Sequence, residues 1–378
     1  MLYGFMDPIL FRAALGRLPR LTGAQLKAAV TRSGSLDTLA AVIHADLTEL
    51  GWPRESVAAL GRLDAALLAR DLDLCHQHRV SLLAAGEPGY PQSLLEIDAA
   101  PPLLYVRGQI AALSLPQIAI VGSRNPTGAG RAIARDFAEH FARTGLAITS
   151  GLALGIDAAA HAGALAGGGM TVAVCGTGLD AVYPPANSEL AGRIAADGAL
   201  VSEFPPGTPP LPANFPQRNR LISALALGVL VVEAARRSGS LITARCAGEQ
   251  GREVFAVPGS IHSPQSHGCH QLIRTGAKLV ERAEDVLEEL RISIQNQLLN
   301  PQNEAAKPTC AKAAAMDKDY EILLHALGFA PASLDQLVAR TGLPPGSVAS
   351  MLLMLELQGE IEVAPGGRYR RLVNKGPG

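Results

Sequence analysis

The chain is 378 residues long and 48% apolar, enough for two or three domains with a sizeable buried core. Only 4% is aromatic, so Ala, Leu, Val and Ile must fill that core, and a formal net charge of −1 excludes bulk electrostatic attraction to nucleic acid; any basic surface must be local. The five scattered cysteines (Cys75, Cys175, Cys246, Cys269, Cys310) form no Cys-x-x-Cys pair, which argues against a disulfide framework or a zinc ribbon and for a reducing compartment.

Asp7, Pro8 and Arg12 stand where a secretory signal needs a clean apolar run, and no apolar stretch of bilayer-spanning length is free of polar or glycine interruptions. The expectation is a soluble cytoplasmic protein.

Residues 1–85 read as a helical domain: Leu15, Leu18, Leu21 and Leu26, then Leu60, Leu63, Leu67 and Leu68, recur at helical spacing between glycine and proline breakers. Leu18-Pro-Arg-Leu-Thr-Gly23 resembles a helix–hairpin–helix turn, which grips backbone phosphate, or is an ordinary helix–helix turn. A lead-in segment from Gly86 to Gly108 carries Tyr90-Pro91, Pro101-Pro102 and the short strand pattern Leu103–Val106.

From Gln117 to Leu290 the chain alternates strand and helix patterns. Expected strands are Ile118–Val121, Ala147–Ser150, Thr171–Cys175, Leu200–Glu203, Gly228–Val232 and Glu253–Val257, mostly continuous apolar runs of the kind buried on both faces of a parallel sheet. The domain spans residues 86–290. Residues 291–316, rich in Gln, Asn, Ala, Lys and Pro, read as a linker. Residues 317–378 follow as three helices and a hairpin bent at Pro365-Gly366-Gly367, a winged-helix pattern; Ser333 with Gln336 forms a capping box.

Glycines, hydroxyls and arginines gather after these strands. Gly122-Ser123-Arg124 follows the first, and a helical pattern with Gly128 and Gly130 comes next. A helix start offers unpaired N–H donors and partial positive charge, and a guanidinium adds a fork of donors, so this turn reads as an anion cradle. Ser150, Gly151 and Gly155 follow the second strand, Gly176 and Gly178 the third, and Arg236-Arg237-Ser238-Gly239-Ser240 follows Glu233. Open α/β sheets bind ligands at these carboxyl ends. Gln217-Arg218-Asn219-Arg220 opens an apolar helix; its arginines either grip phosphate or pair internally with a carboxylate such as Glu233.

Catalytic constellations are scarce. Asp157 and His161 share a helical face, as a base and its orienter or as a cap and a packed ring. His262, His267, Cys269 and His270 lack a second ligand pair at recognised metal spacing. No Walker loop, Gly-x-Gly-x-x-Gly turn or Gly-x-Ser-x-Gly elbow is present, so ATP, a dinucleotide and acyl chemistry are not expected. Neither cofactor nor metal is expected, and no catalytic residue.

Ile120-Val-Gly-Ser-Arg124, Ser150-Gly-Leu-Ala-Leu-Gly-Ile-Asp157 with His161, Gly176-Thr-Gly-Leu-Asp180 with Tyr183-Pro184, Ser202-Glu203, Phe215-Pro-Gln-Arg-Asn-Arg220, Ser238-Gly-Ser-Leu-Ile-Thr-Ala244 and Val257-Pro-Gly259 together resemble the DprA/Smf family of DNA-processing proteins, in order across the whole α/β region. The resemblance implies an extended Rossmann-like sheet between an N-terminal helical domain (SAM or helix–hairpin–helix-like) and a C-terminal winged helix. It implies a cytoplasmic, non-enzymatic protein that binds single-stranded DNA, protects it during natural transformation, helps load the RecA recombinase and dimerises through the later part of the Rossmann-like domain. Carried over by motif, Gly122, Ser123 and Arg124 hold a phosphate; Arg218, Asn219 and Arg220 line the same groove; Gly151, Gly155 and Gly178 admit the strand close to the backbone; Ser238 and Gly239 complete the set.

Two departures remove cations. Pro185 stands where many relatives have lysine, and Leu211-Pro212-Ala213-Asn214 replaces an often basic approach to Phe215, which should lower affinity and flatten its salt dependence. The third helix of the terminal module, Ser347–Leu357, has no lysine or arginine and is a poor groove reader; Arg368, Arg370 and Arg371 of the hairpin are backbone-contact candidates, or the module contacts protein. Leu272 and Ile273 belong either to a dimer contact or to the core. The alternative reading is a phosphoribohydrolase-type nucleotide enzyme, but Ser238-Gly-Ser-Leu-Ile-Thr243 stands where that class has Pro-Gly-Gly-x-Gly-Thr-x-x-Glu.

Overall fold

A computed structural model describes residues 7–41, 47–299, 316–328, 331–357, 360–364 and 367–372. Its centre is a nine-stranded sheet in the order β1-β2-β6-β5-β4-β3-β7-β8-β9. The strands are β1 (Val80–Ala84), β2 (Leu103–Gly108), β3 (Gln117–Val121), β4 (Ala147–Ser150), β5 (Thr171–Cys175), β6 (Ala199–Ser202), β7 (Gly228–Val231), β8 (Glu253–Ala256) and β9 (Lys278–Leu279). From β6 across to β9 neighbouring strands run parallel, whereas β1 on β2 and β2 on β6 are antiparallel.

The continuous apolar runs are buried on both faces, as their composition requires. Ile118 and Ile120 face a cluster with Phe137 and Phe141 of the helix Gly128–Arg143, while Ala119 and Val121 face a second cluster with Leu152, Leu221 and Ile222. The chain leaves β3 to build β4, β5 and β6 on one side, then returns to place β7 on the other. The strand order therefore reverses at β3, and the crevice outside the carboxyl ends of β3 and β7 is where such sheets take ligands.

Two strands of this sheet lie beyond the sequence expectation. β1 falls inside the segment assigned to the helical domain, and β9 is only two residues long. Five helices precede β1 among the described residues, and the second of them meets the lead-in segment. In the turn Leu18–Gly23, Thr22 and Gln25 form a capping box, but the Gly23 amide donates to Ala100 O at 2.7 Å, and a Cβ there would lie 2.8 Å from Pro101 O. This turn joins the N-terminal helices to the lead-in segment and has no amide left over for phosphate at Gly23. Arg17 bonds Asp71 through two nitrogens (2.5 and 2.7 Å) beneath it.

The expected linker is helical in its first part: the helix Ala283–Leu299 runs into it, and residues 300–315 lie outside the described set. The terminal module is a winged helix. The helices Met316–Leu327, Leu334–Thr341 and Pro345–Leu357 pack on a three-stranded sheet of β10 (Ala332–Ser333), β11 (Ile361–Ala364) and β12 (Arg368–Arg371), and the Ser333–Gln336 capping box is formed. Pro365 and Gly366 lie outside the described residues. The third helix contacts protein, and that protein is this chain: Ser350 Oγ donates to Gly145 O at 2.6 Å, Leu353 enters the Phe137–Phe141 cluster, and Gly145 (φ +96°) leaves no room for a Cβ beside Ala349. Gly145 precedes β4, so the winged helix sits at the amino ends of the parallel strands, opposite their carboxyl-end crevice.

Candidate nucleic-acid interface

Four loops frame the crevice. The loop after β3 carries Gly122, Ser123 and Arg124; Arg124 is exposed and enters no hydrogen bond or ion pair among the described residues. Its guanidinium carbon lies 5.8 Å from the centre of the Phe215 ring, a cation–π distance. Phe215 opens the helix Asn214–Leu225 and meets Tyr183, which is 44% exposed, with ring centres 5.7 Å apart. A free cation thus stands beside a partly exposed aromatic pair, the combination that takes a phosphate and a base face together. Leu154 on the loop after β4, and Arg236 and Arg237 on the loop after β7, are also exposed, and neither arginine has an ion pair among the described residues.

Arg218 points the other way. It is 4% exposed; Nη1 donates to Gly151 O at 2.7 Å and also to Val174 O, so one guanidinium ties the loop after β4 to β5. Burial lowers its pKa, with Asp157 opposing that shift; burial raises the pKa of Asp157, opposed chiefly by Arg218. Arg220 is spent as well, held by both oxygens of Glu203 (2.7 and 3.0 Å). An internal carboxylate does claim an arginine of this motif, but it is Glu203; Glu233 binds elsewhere, at Thr127. Asn219 is 8% exposed and donates to Gly239 O at 3.3 Å, tying this helix to the Ser238–Gly239 loop, where Ser238 and Ser240 hydroxyls lie 2.7 Å apart and Gly239 is exposed.

The glycines serve close packing inside the loops. A Cβ on Gly151 would lie 2.6 Å from Arg218 and 2.7 Å from Asp157; on Gly155 (φ +86°), 2.4 Å from Ser123 O; on Gly178, 2.4 Å from Asp180. They let loops and charged side chains approach one another. Ser123 is nearly buried, its hydroxyl accepting from Asn125 N.

Asp157 and His161 do not meet as base and orienter. Asp157 accepts from Ala153 N at 3.3 Å, whereas buried His161 sets Nδ1 2.7 Å from the Thr171 hydroxyl, which donates to Ile148 O. Nδ1–H is therefore the donor, and Nε2 has no partner among the described residues. Burial holds His161 down at about 3. In the unfolded chain the ring takes a proton below about 6.5, so the unfolded state binds more protons between these values. The contribution is complete above 6.5 and is lost as pH falls: about 2 kcal/mol between pH 7 and pH 5. Urea unfolding at both pH values should show this loss in the wild type, and a loss smaller by that amount in His161→Asn. His267 and His270 direct Nε2 at the carbonyls of Ile261 and Gly259, and Cys269 is buried. No group of three metal-binding side chains occurs among the described residues, and no helix among them is long and apolar enough to cross a membrane.

Residues 81–291 match the family model of DNA recombination-mediator protein A, which covers more than half of the chain. The chain belongs to this DprA/Smf family. A second model, the DprA winged helix domain, matches residues 305–367. Protein Smf of Escherichia coli is 46% identical over 85% of this chain and 82% of its own length; DNA processing protein DprA of Streptococcus pneumoniae is 50% identical over 53% and 71%. The X-ray structure of the Streptococcus pneumoniae DprA covers 75% of this chain and 99% of its own at TM-score 0.65 and 38% identity. A Helicobacter pylori DprA structure, described by its single-stranded DNA binding mode, covers 57% and 97% at TM-score 0.52 and 29% identity. For a DprA-family chain the sequence reading singled out Arg124 but not Tyr183 or Phe215, which stood in its motifs without a role. No local signal separates them, since aromatic–proline pairs also occur at Trp52-Pro53, Tyr90-Pro91 and Phe204-Pro205.

Proposed function

We propose that this chain binds single-stranded DNA without breaking bonds in it, protects incoming strands during natural transformation and helps load the RecA recombinase, as a cytoplasmic homodimer. The observation that carries the binding is the unpaired Arg124 beside the Tyr183–Phe215 pair at the point where the strand order reverses. Arg124 takes a phosphate, the rings take a base face, and Arg236 and Arg237 extend the basic edge; none of these contacts reads sequence. The H. pylori relative, named for its single-stranded DNA binding mode, supports the ligand class. The missing glutamate after Ser238-Gly-Ser-Leu-Ile-Thr243 speaks against the phosphoribohydrolase reading. For the dimer, Leu272 and Ile273 pack against the core, while Ile261 (73% exposed) and Leu279 (50% exposed) leave apolar surface at the β9 end of the sheet.

Anisotropy titrations of an unstructured labelled oligonucleotide at several salt concentrations test the proposal. Affinity should fall as salt rises, with little dependence on base sequence, and Tyr183→Ala should weaken binding about fivefold, the low end for one stacked base. An affinity indifferent to salt, or steady release of free base from nucleoside monophosphates, would overturn it.

A further inference from the structure

The first strand–helix turn already contains an anion. Glu233 follows β7 at the reversal of strand order, and its carboxylate accepts from Thr127 N at 2.9 Å and from Thr127 Oγ1 at 2.6 Å, at the start of the helix Gly128–Arg143. Thr127 in turn accepts from Gly130 N at 2.9 Å. Two glycines make room for this arrangement. A Cβ on Gly130 would lie 2.4 Å from the Glu233 carboxyl carbon and within 2.7 Å of both oxygens. A Cβ on Gly122 would lie 2.9 Å from the Glu233 backbone carbonyl.

In dinucleotide-binding sheets, glycines of the first turn let a pyrophosphate approach the backbone, and the helix start supplies donors and positive potential to it. Here the same space is filled from within, by a main-chain carbonyl at Gly122 and a carboxylate at Gly130. We propose that Glu233 is an internal anion that closes the first strand–helix turn to inorganic phosphate and free mononucleotides. A Rossmann-like sheet in a cell rich in nucleotides is thereby kept from binding them at its reversal point. A phosphate that comes to this end of the sheet is left with the exposed side chain of Arg124, which suits a polymer tethered at many points and not a single small anion.

The test is a gain of binding. Glu233→Ala uncovers the helix start, and thermal unfolding in 50 mM phosphate should then raise its Tm by about 2–4 °C over chloride of equal ionic strength, as expected for millimolar affinity. Wild-type Tm should rise by less than about 1 °C, the non-specific effect of phosphate. Glu233→Ser empties the same space while staying polar, and serves where the alanine variant is too unstable: adenosine monophosphate should bind it measurably by equilibrium dialysis and not bind the wild type. Equal phosphate response in wild type and Glu233→Ala, or no response in either variant, overturns the proposal. No DNA is used, so a wild type that fails to bind a single strand would sink the proposed function and leave this result standing.

Discussion

Arg218→Ala is expected to cost about 3–5 kcal/mol of folding stability, the range for breaking a buried charge pair from one side. The guanidinium sits between two carbonyls, Gly151 O and Val174 O, and close to Asp157, with its ring-side neighbour Phe215 5.9 Å away. Truncation leaves both carbonyls short of this donor and Asp157 buried without its compensating charge. Arg218→Lys should recover part of the loss, because a point charge restores the field around Asp157 but cannot reproduce the planar fork. Chemical denaturation of the three proteins measures the stability. The salt slope of strand binding separates this positioning role from direct contact: a phosphate-gripping residue lowers the slope by about 0.7 when a cation is lost from a single-strand complex. The folded fraction of Arg218→Ala should bind more weakly than wild type with an unchanged slope. Full stability of Arg218→Ala with a reduced slope would show that the side chain reaches DNA after all.

That reversal of role marks where sequence stops being sufficient. Strands β3 to β7 were legible because burial on both faces writes continuous apolar runs, and the Ser333–Gln336 capping box because its chemistry is local. β1 was not, because Val80-Ser-Leu-Leu-Ala84 follows closely on the helix Ala65–Gln77, and as an edge strand it is unevenly buried, with Ser81 exposed and Leu82 half-buried. The cations were legible as charges but not as directions. A motif with two arginines two apart shows nothing of which one faces a carboxylate, and Glu203, the partner of Arg220, is brought in by β6 from a different part of the chain. For Arg218 a signal did exist: Leu221, Ile222 and Leu225 follow at three, four and seven residues, so helical periodicity places Arg218 on the buried face. Likewise Gly122 and Gly130 announced a close approach to the backbone, but only the pairing of β7 beside β3 shows that Glu233 makes it. The terminal module's lack of basic residues on its third helix was informative in the same way; the helix is committed to Gly145 and the Phe137–Phe141 cluster.

Arg124→Ala should weaken single-strand binding about 10- to 100-fold at moderate salt while leaving stability within about 0.5 kcal/mol of wild type. The fold loses little because the side chain is exposed and makes no hydrogen bond or ion pair among the described residues; only its position over Phe215 is given up. Binding loses more, because a charge-assisted guanidinium–phosphate contact is worth about 1.5–3 kcal/mol and has no internal substitute here. Arg218 and Arg220 face inward, so they cannot step into its place without breaking their own contacts with Gly151 and Glu203. The salt slope should fall by about 0.7 with the loss of one cation. Arg124→Lys should restore that slope but not the full affinity, since an ammonium neither forks onto two phosphate oxygens nor lies flat on the Phe215 ring. Should Arg124→Ala bind as tightly as wild type with the same slope, the phosphate must instead be held by Arg236 and Arg237, and the groove would run along the loop after β7 rather than across the aromatic pair.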